Sequence, residues 1–322
     1  MRKLNTITEI QLLNCAYTHI LGLWCKKLDQ LEEHKKADLP TDAIEYWLNK
    51  YRKQLDEKKG CTQRVLFPEQ ITLSLGISSK ISVEFLDDFY EGVEFACKEA
   101  GVDLVGGDTS ASVTGLVINI TAIGRAKKSE ITYRSGAKEH DLICLTRNLG
   151  APYMGLRLLE RERRVLEGID NPQPQFEGYE YLLQRYLKPR ARYDMVTSLR
   201  KEGIVPTSMI DITDGLASEV LQICKASKCG ARIYLERMPL AKQTTALAEE
   251  MNIDPVIAAL NGGEDYELLF TVPLADYDKV SKLKDIRLIG HITKPELGCM
   301  LVTRDGGEME LKAQGWQALT EA

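Results

Sequence analysis

The spacing of apolar residues divides the chain into two stretches of different character. In the first, apolar side chains recur at helical spacing in residues 20–31 and again in residues 44–55, and Lys and Glu occupy the other faces. Residues 38–42 interrupt this pattern with a proline, and Thr41 is a suitable N-cap for the second helix. Residues 1–67 are therefore predicted to form a charged helical hairpin.

After this hairpin the pattern alternates between the periods of strands and helices. The predicted order is a half-buried strand at 71–76, an amphipathic helix that Ser82 caps and that ends before Gly101, an apolar strand at 102–105, a glycine turn at 106–110 and an alternating strand at 115–123. Strands that alternate with a helix in this way are typical of an α+β layer.

A polar link around residues 133–138 leads into a second region of mixed elements. Its predicted strands are 142–146, 209–211, 231–235, 267–272, 286–289 and 300–303. Its predicted helices are 152–162, 179–202 with an interruption at Pro189, and 215–226. We therefore predict an α+β protein with a hairpin at 1–67, the remainder of an N-terminal α+β domain at 68–137 and a C-terminal α+β domain at 138–322.

Composition limits the classes of function. The 322 residues are 44% hydrophobic and 28% charged, which is enough apolar surface for a real core. The formal net charge of -5 gives no reason to expect a nucleic-acid partner. No signal peptide opens the chain and no apolar run approaches the roughly 20 residues of a membrane span. The eight cysteines form no CxxC pair, so we expect reduced thiols in a cytoplasmic protein without a membrane partner.

The first of three acidic clusters lies at residues 106–110, which read Gly-Gly-Asp-Thr-Ser. Glycines let the backbone approach a ligand closely, and the carboxylate of Asp108 is a hard oxygen donor that suits Mg²⁺. The alternative is an ordinary glycine-rich turn in which Asp108 bonds to its own backbone.

The second cluster, residues 211–216, lies where a predicted strand runs into a helix. Asp211 and Asp214 flank the hydroxyl of Thr213, and a helix N-terminus behind them offers N–H donors for a phosphate. The alternative is that Thr213 or Asp214 caps the helix while Asp211 is solvated.

The third cluster, residues 261–270, carries three acids and two glycines just before an apolar strand. Its alternative is a loop of solvated charges. Taken jointly, the three clusters favour a shared site, because converging carboxylates repel one another unless divalent cations lie between them. Mg²⁺ that bridges to a nucleotide phosphate is the common solution, and no Walker A, protein-kinase or GxSxG motif offers another chemistry.

These clusters, in this order, resemble the thiamine-monophosphate kinase family of the superfamily that includes aminoimidazole ribonucleotide synthetase and selenophosphate synthetase. The resemblance covers the chain from about residue 68 to its end. It rests on Gly106-Gly107-Asp108-Thr109, Arg134-Ser135-Gly136-Ala137, Asp211-Ile212-Thr213-Asp214-Gly215-Leu216 and Gly262-Gly263-Glu264-Asp265-Tyr266-Glu267-Leu268.

The resemblance implies a two-domain α+β kinase that transfers phosphate from ATP to thiamine phosphate and forms thiamine diphosphate, with Mg²⁺ as cofactor. Members of the family are usually dimeric, so a homodimer is expected. The matching positions are Asp108, Asp211 and Asp214 for Mg²⁺; Tyr90, Gly107, Asp108, Arg134 and Thr213 for the nucleotide; and Glu264 and Trp316 for the substrate.

Residues 1–67 depart from the family pattern. They lack the family's Gly-Asp-Asp turn, its Thr-Thr-Asp motif and its Asn-x-Ser-Asp segment, which supply further Mg²⁺ ligands, part of the substrate pocket and strands of the N-terminal sheet. An incomplete sheet, with a helical segment in place of the missing strands, is therefore expected. Besides an impaired kinase, two alternatives stay open: an inactive homologue that binds nucleotide or thiamine phosphate or acts as an interaction scaffold, and another enzyme of the superfamily.

Overall fold

The structure is a computed structural model, and it describes residues 67–113, 115–167 and 173–313. Contacts within the chain define two compact units, Met1–Ile131 and Thr132–Ala322. Both units mix helices with strands, so the predicted α+β class is confirmed. The predicted helical hairpin lies outside the described residues, and the predicted domain boundary after residue 137 stays a prediction.

In the first unit, one helix covers one face of a three-stranded sheet. Its elements are β1 (Phe67–Ile77), α1 (Val83–Ala100), β2 (Asp103–Ala111) and β3 (Leu116–Arg125). The strand order is β2-β1-β3, in which β1 runs parallel to β2 and antiparallel to β3. The core forms where Ile71, Leu73 and Leu75 of β1 meet Phe85 and Phe89 of α1.

Local signals account for both ends of α1. The Ser82 hydroxyl accepts a hydrogen bond from the Phe85 N–H at 3.2 Å, which satisfies a donor that the first helical turn leaves unpaired. Gly101 ends the helix in the left-handed conformation, with φ of 68°. Both predicted ends of this helix are confirmed.

The predicted glycine turn at residues 106–110 is wrong, because these residues continue β2. Gly107 lies opposite Leu73 in the parallel pairing with β1. A Cβ atom at Gly107 would lie 1.7 Å from the Leu73 carbonyl oxygen. A side chain would collide with the neighbouring backbone at this position, so the glycine serves close strand packing rather than a turn.

In the second unit, helices pack against a seven-stranded sheet of order β10-β9-β6-β8-β4-β7-β5. The strands are β4 (Leu142–Thr146), β5 (Ser208–Asp211), β6 (Gly230–Tyr234), β7 (Leu268–Val272), β8 (Ile286–Thr293), β9 (Cys299–Val302) and β10 (Glu308–Glu310). Neighbouring strands are antiparallel except β6 and β9, which are parallel. All six strands predicted for this region are present, and β10 was not predicted.

The helices of the second unit were predicted where the helical spacing of apolar residues extends over many residues. They are α2 (Ala151–Val165), α3 (Glu180–Leu187), α4 (Tyr193–Lys201), α5 (Leu216–Ser227), α6 (Lys242–Glu250), α7 (Pro255–Asn261) and α8 (Tyr277–Val280). The predicted interruption at Pro189 separates α3 from α4, whereas α6, α7 and α8 were not predicted. None of the described helices is both long and apolar enough to cross a membrane.

The register of the central strands brings three connections to one edge of this sheet. Both β4 and β5 run antiparallel to β7, so both end beside its first residues. Asp211, the last residue of β5, lies opposite Leu268, the first residue of β7. The connections that follow β4 and β5 and the one that precedes β7 therefore share this edge, which we call the β4–β5–β7 edge.

We predict that Gly107→Ala lowers the urea midpoint of unfolding of the first unit, because the new methyl group must push β2 away from the Leu73 carbonyl. Overpacking of this kind typically costs about 1–3 kcal/mol. Gly106→Ala is the matched control, since a Cβ atom there meets no atom of the described residues within 4 Å. Circular dichroism during urea unfolding measures both variants, and equal midpoints would contradict the steric account.

Candidate functional site

Two of the three acidic clusters are hydrogen-bonded to each other at the β4–β5–β7 edge. The Ile212 N–H donates to the Glu267 carbonyl at 2.8 Å, and the Tyr266 N–H donates to the Ile212 carbonyl at 2.8 Å. One step further out, the Glu264 N–H donates to the Thr213 carbonyl at 2.8 Å. The main chains of residues 211–214 and 264–267 thus form one hydrogen-bonded turn pair, although about fifty residues separate them in the sequence.

The loop that forms the second half of this turn pair has unusual backbone dihedral angles. Gly263, Glu264 and Tyr266 all have positive φ, at 69°, 59° and 51°. A Cβ atom at Gly263 would lie 2.4 Å from the Thr213 carbonyl oxygen, so only glycine permits this approach. Non-glycine residues in this region cost about 1–3 kcal/mol each, and such strain concentrates at functional sites. The Tyr266 hydroxyl donates to the exposed Glu264 carboxylate at 2.6 Å.

The N-cap alternative for residues 211–216 is wrong on both counts. Asp211 is buried, with 4% of its surface exposed, rather than solvated. The N-cap of α5 is Gly215, with φ of 112°, and no side chain in the described part of the chain caps the helix there. A Cβ atom at this position would lie 2.5 Å from the Leu260 carbonyl oxygen of α7, which explains why a residue with a capping side chain does not fit.

The carboxylate of Glu219 supports this turn from inside α5. Its Oε1 accepts hydrogen bonds from the Asp214 N–H at 3.1 Å and from the Thr213 hydroxyl at 3.3 Å. Burial raises the pKa of Glu219 to about 7, the hydrogen bonds oppose the rise, and the charge of Asp214 adds to it. The Asp214 side chain is exposed and makes no hydrogen bond or ion pair with the residues that the structure describes.

Beneath the turn pair, the Glu267 carboxylate is the centre of a buried polar network. It accepts from Arg185 at 2.6 Å and from Arg192 at 2.9 Å, and the Thr146 hydroxyl donates to it at 2.5 Å. Glu267 is fully buried and Arg192 is 2% exposed. These contacts join β4, β7 and α3 and the segment that leads into α4 in one cluster.

Asp265 ties the same loop to the connection that follows β4. Its Oδ1 accepts from the Gly150 N–H at 3.0 Å and lies 3.7 Å from Arg185, while Oδ2 has no hydrogen-bond partner among the described residues. Burial raises the pKa of Asp265 well above its usual value, although the Arg185 charge opposes the rise. The alternative of a solvated loop therefore fails for Asp265 and Glu267 and agrees only with the exposed Glu264.

Arg134 belongs to a segment that lies along β5 in the second unit. The Met209 N–H donates to the Tyr133 carbonyl at 2.9 Å, and the Ala137 N–H donates to the Ser227 hydroxyl at 3.2 Å. Arg134 itself is partly exposed. The structure thus holds this predicted nucleotide contact close to the strand that ends in Asp211.

Three predicted residues lie in the first unit. Gly107 and Asp108 are on β2, where Asp108 is exposed, and Tyr90 is on α1. The Tyr90 ring packs edge-on against Phe89 at 5.6 Å, and burial raises the pKa of its hydroxyl. Trp316 lies outside the described residues. The proposed roles of these residues stay predictions.

The donor set at the β4–β5–β7 edge fits Mg²⁺ in its chemistry. Asp211 and Asp214 are hard carboxylate donors on one turn, and Mg²⁺ is usually held by one or two carboxylates together with waters and substrate phosphates. Within residues 67–113, 115–167 and 173–313, no group of three or more His, Cys, Asp or Glu side chains is arranged to hold a metal ion. A site that combines Asp108 with Asp211 and Asp214 stays a prediction.

The sequence pattern missed most of the residues that support this edge. Arg185 and Arg192 lie among other charged residues of a predicted helix. No pattern in the neighbouring sequence shows that they contact Glu267. Gly150 had a visible signal, since a glycine followed by Ala-Pro after a strand is typical of a helix start. Glu219 could have been found as an acid in the first helical turn after the 211–216 motif.

We predict that Glu267→Gln lowers the free energy of unfolding of the second unit by about 3–5 kcal/mol, because Arg185 and Arg192 lose their buried counter-charge. The control is Glu310→Gln. Glu310 forms an ion pair with Lys312 in which both side chains are at least 70% exposed. This surface change should cost less than about 1 kcal/mol. Urea unfolding of both variants is the measurement, and equal losses would show that the buried network carries no special stability.

We predict a pH-dependent effect for Asp265→Asn. A carboxyl group with a raised folded-state pKa stabilises the fold below its unfolded pKa of about 3.9, and this stability is lost as the pH rises through the folded pKa. Asparagine keeps an acceptor for the Gly150 N–H but does not titrate. The stability of the variant relative to the wild type should therefore increase from pH 5 to pH 8 in urea unfolding. A difference that is constant with pH would contradict the raised pKa.

Comparison with known proteins agrees with this architecture. The model of the AIR synthase related protein N-terminal domain matches residues 67–126, and that of the AIR synthase related protein C-terminal domain matches residues 162–296. The first match begins where β1 begins, and the second includes the 211–216 and 262–268 clusters.

Individual relatives narrow the family. The chain is 33% identical to the thiamine-monophosphate kinase of Buchnera aphidicola subsp. Schizaphis graminum, over 73% of this chain and 69% of the relative. It is 30% identical to the thiamine-monophosphate kinase of Aquifex aeolicus, over 78% and 74%. The solved structure of AaThiL complexed with AMPPCP and TMP superimposes with a TM-score of 0.66 at 29% identity, over 78% and 74%. The chain belongs to the AIR synthase-related superfamily and, within it, to the thiamine-monophosphate kinase family.

Proposed function

We propose that this chain catalyses the ATP-dependent phosphorylation of thiamine phosphate to thiamine diphosphate. Membership of the family supports the reaction class, and a relative at 29% identity has been solved with AMPPCP and TMP. The observation that carries the proposal is the hydrogen bond from the Glu264 N–H to the Thr213 carbonyl at 2.8 Å. This bond joins the turn that carries Asp211 and Asp214, the proposed Mg²⁺ ligands, to the turn that carries Glu264, the proposed substrate contact.

The reaction would be a direct in-line transfer. A phosphate oxygen of thiamine phosphate attacks the γ-phosphorus of ATP, a new P–O bond forms and the bond to the ADP oxygen breaks. That phosphate oxygen is already anionic at neutral pH, so the chain need not supply a strong general base. When bound, Mg²⁺ would screen the repulsion between the two phosphate groups and hold them in line.

The residues of the chain would bind and orient the two substrates. Asp211 and Asp214, together with Asp108, would hold Mg²⁺. Arg134 would pair with phosphate oxygens of the nucleotide, to which Tyr90, Gly107 and Thr213 would also contribute contacts. Glu264 and Trp316 would bind thiamine phosphate, the indole by stacking on its heteroaromatic ring. A homodimer and a cytoplasmic location, both expected from the sequence, are part of this proposal.

A second candidate is an inactive homologue that binds Mg-ATP or thiamine phosphate without turnover. It is favoured by residues 1–67, which lack the acidic motifs that the family carries there. The two candidates differ in a single observable: the impaired kinase forms thiamine diphosphate slowly, whereas the inactive homologue is stabilised by ligand and forms none.

We predict that the purified chain forms thiamine diphosphate from ATP and thiamine phosphate and that Asp211→Asn lowers kcat/KM at least about 100-fold, because a metal ligand is worth several kcal/mol in phosphoryl transfer. Glu310→Gln is the control, since its side chain is 70% exposed in an ion pair with Lys312. Product formation is followed by chromatography. Equal rates for wild type and Asp211→Asn would refute the site, and Mg-ATP stabilisation without product would support the inactive homologue.

A further inference from the structure

Glu219 is a buried carboxylate next to the candidate site to which neither the motifs nor the proposed reaction assign a role. It lies in the first turn of α5 and is 2% exposed. A carboxylate at this depth loses its hydration, and burial of a charged group is costly unless its oxygens are bonded. Only Oε1 has hydrogen bonds, and Oε2 has no hydrogen-bond partner among the described residues. One oxygen of this buried carboxylate is therefore bonded to the turn, and the other has no hydrogen bond within the described part of the chain.

The packing of α5 explains why a carboxylate is needed there. Helices of this kind usually begin at a side chain that accepts a hydrogen bond from the first turn. Here the N-cap is Gly215, because a Cβ atom would lie 2.5 Å from the Leu260 carbonyl. Glu219 lies one turn further on and does not cap the donors of the first turn; it reaches back past the N-cap and accepts from the Asp214 N–H and the Thr213 hydroxyl, so it holds the turn that precedes the helix. The partial positive charge of the helix N-terminus favours a carboxylate in this place.

The hydrogen bonds of this turn hold its main chain and leave the Thr213 hydroxyl oxygen and the Asp214 carboxylate for a ligand. The Thr213 carbonyl accepts from the Glu264 N–H, and the Asp214 N–H donates to Glu219. The Thr213 hydroxyl donates a hydrogen bond to Glu219. Its oxygen can therefore accept a hydrogen bond from a ligand or contact a cation. The Asp214 carboxylate is exposed, and the main chain before it is held by the bonds of the Asp214 N–H and the Thr213 carbonyl. Two anchors, Glu219 and Glu264, therefore determine the conformation of the turn.

We propose that Glu219 is a positioning residue for Mg-ATP: its carboxylate fixes the Thr213 hydroxyl and the Asp214 main chain in the conformation in which they contact the bound nucleotide and cation. This inference rests on the proposed function of the same site. Glu219 touches neither substrate and acts only through Thr213 and Asp214. Preorganisation of contact groups by a buried hydrogen-bond partner is a general way to gain affinity, because the ligand need not order the turn when it binds.

The test measures Mg-ATP affinity directly by isothermal calorimetry on the full chain, without reliance on turnover. Glu219→Leu removes both hydrogen bonds and replaces an incompletely bonded carboxylate with an apolar side chain. Because these two effects on stability oppose each other, its melting temperature without ligand should stay close to that of the wild type. Its Kd for Mg-ATP should rise at least tenfold. Glu219→Gln retains an acceptor at the Oε1 position and should keep the Kd within about threefold.

Glu162→Leu is the matched control. Glu162 is another buried glutamate of the second unit, 8% exposed, and its carboxylate also accepts a main-chain N–H, that of Gln175 at 3.0 Å. This variant should leave the Kd for Mg-ATP unchanged, whatever its melting temperature. A purely structural role for Glu219 predicts the reverse pattern, in which Glu219→Leu lowers the melting temperature and the folded fraction binds Mg-ATP normally.

The outcomes separate this inference from the proposed function. If the wild type binds Mg-ATP and a folded Glu219→Leu variant has a Kd within twofold of the wild-type value, the role of Glu219 is overturned. The kinase proposal is then left intact. If Glu219→Leu does not fold, a Glu219→Gln variant that folds and binds more than tenfold more weakly than the wild type would overturn the hydrogen-bond account. Wild type that shows no binding of Mg-ATP would overturn both proposals together.

Discussion

The contact between Glu267 and its two arginine partners is the interaction on which the candidate site depends. The buried Glu267 carboxylate and the two guanidinium groups are stable in the protein interior only together. Any one of them left alone would still lack hydration but would have lost the opposite charge that offsets this cost. The set joins the start of β7 to α3 and to the segment before α4. It therefore fixes where the 262–267 loop ends, and the rest of the edge is built on that loop.

Main-chain contacts extend this order from the buried network to the surface. Gly263 and Gly215 both lie against carbonyl oxygens at distances that exclude a side chain, which lets the two turns share hydrogen bonds directly. Backbone groups have few degrees of freedom once they are paired, so a turn held in this way presents its side chains in a narrow range of positions. Glu219 completes the arrangement on the side of α5, where glycine leaves the helix without a cap.

Neighbouring acids within one motif serve different purposes in this fold. Glu264 is exposed at the edge, whereas Asp265 and Glu267 point into the unit and bond to Gly150 and to the arginines. The same division holds between Asp214 and Glu219. Exposed acids such as Glu264 and Asp214 can contact a ligand, whereas Asp265, Glu267 and Glu219 hold the surrounding main chain and side chains in place. A motif rich in acids can supply both.

The sequence by itself determined the elements whose signals are local. The ends of α1 follow from Ser82 and Gly101, the break between α3 and α4 from Pro189, and the family from the order of the acidic clusters. Tertiary structure decided the rest. Residues 106–110 look like a turn because glycines favour turns, yet they form a strand since only glycine fits beside the Leu73 carbonyl. The pairing of Glu267 with Arg185 crosses 82 residues, and no local pattern distinguishes such buried charges from solvated ones.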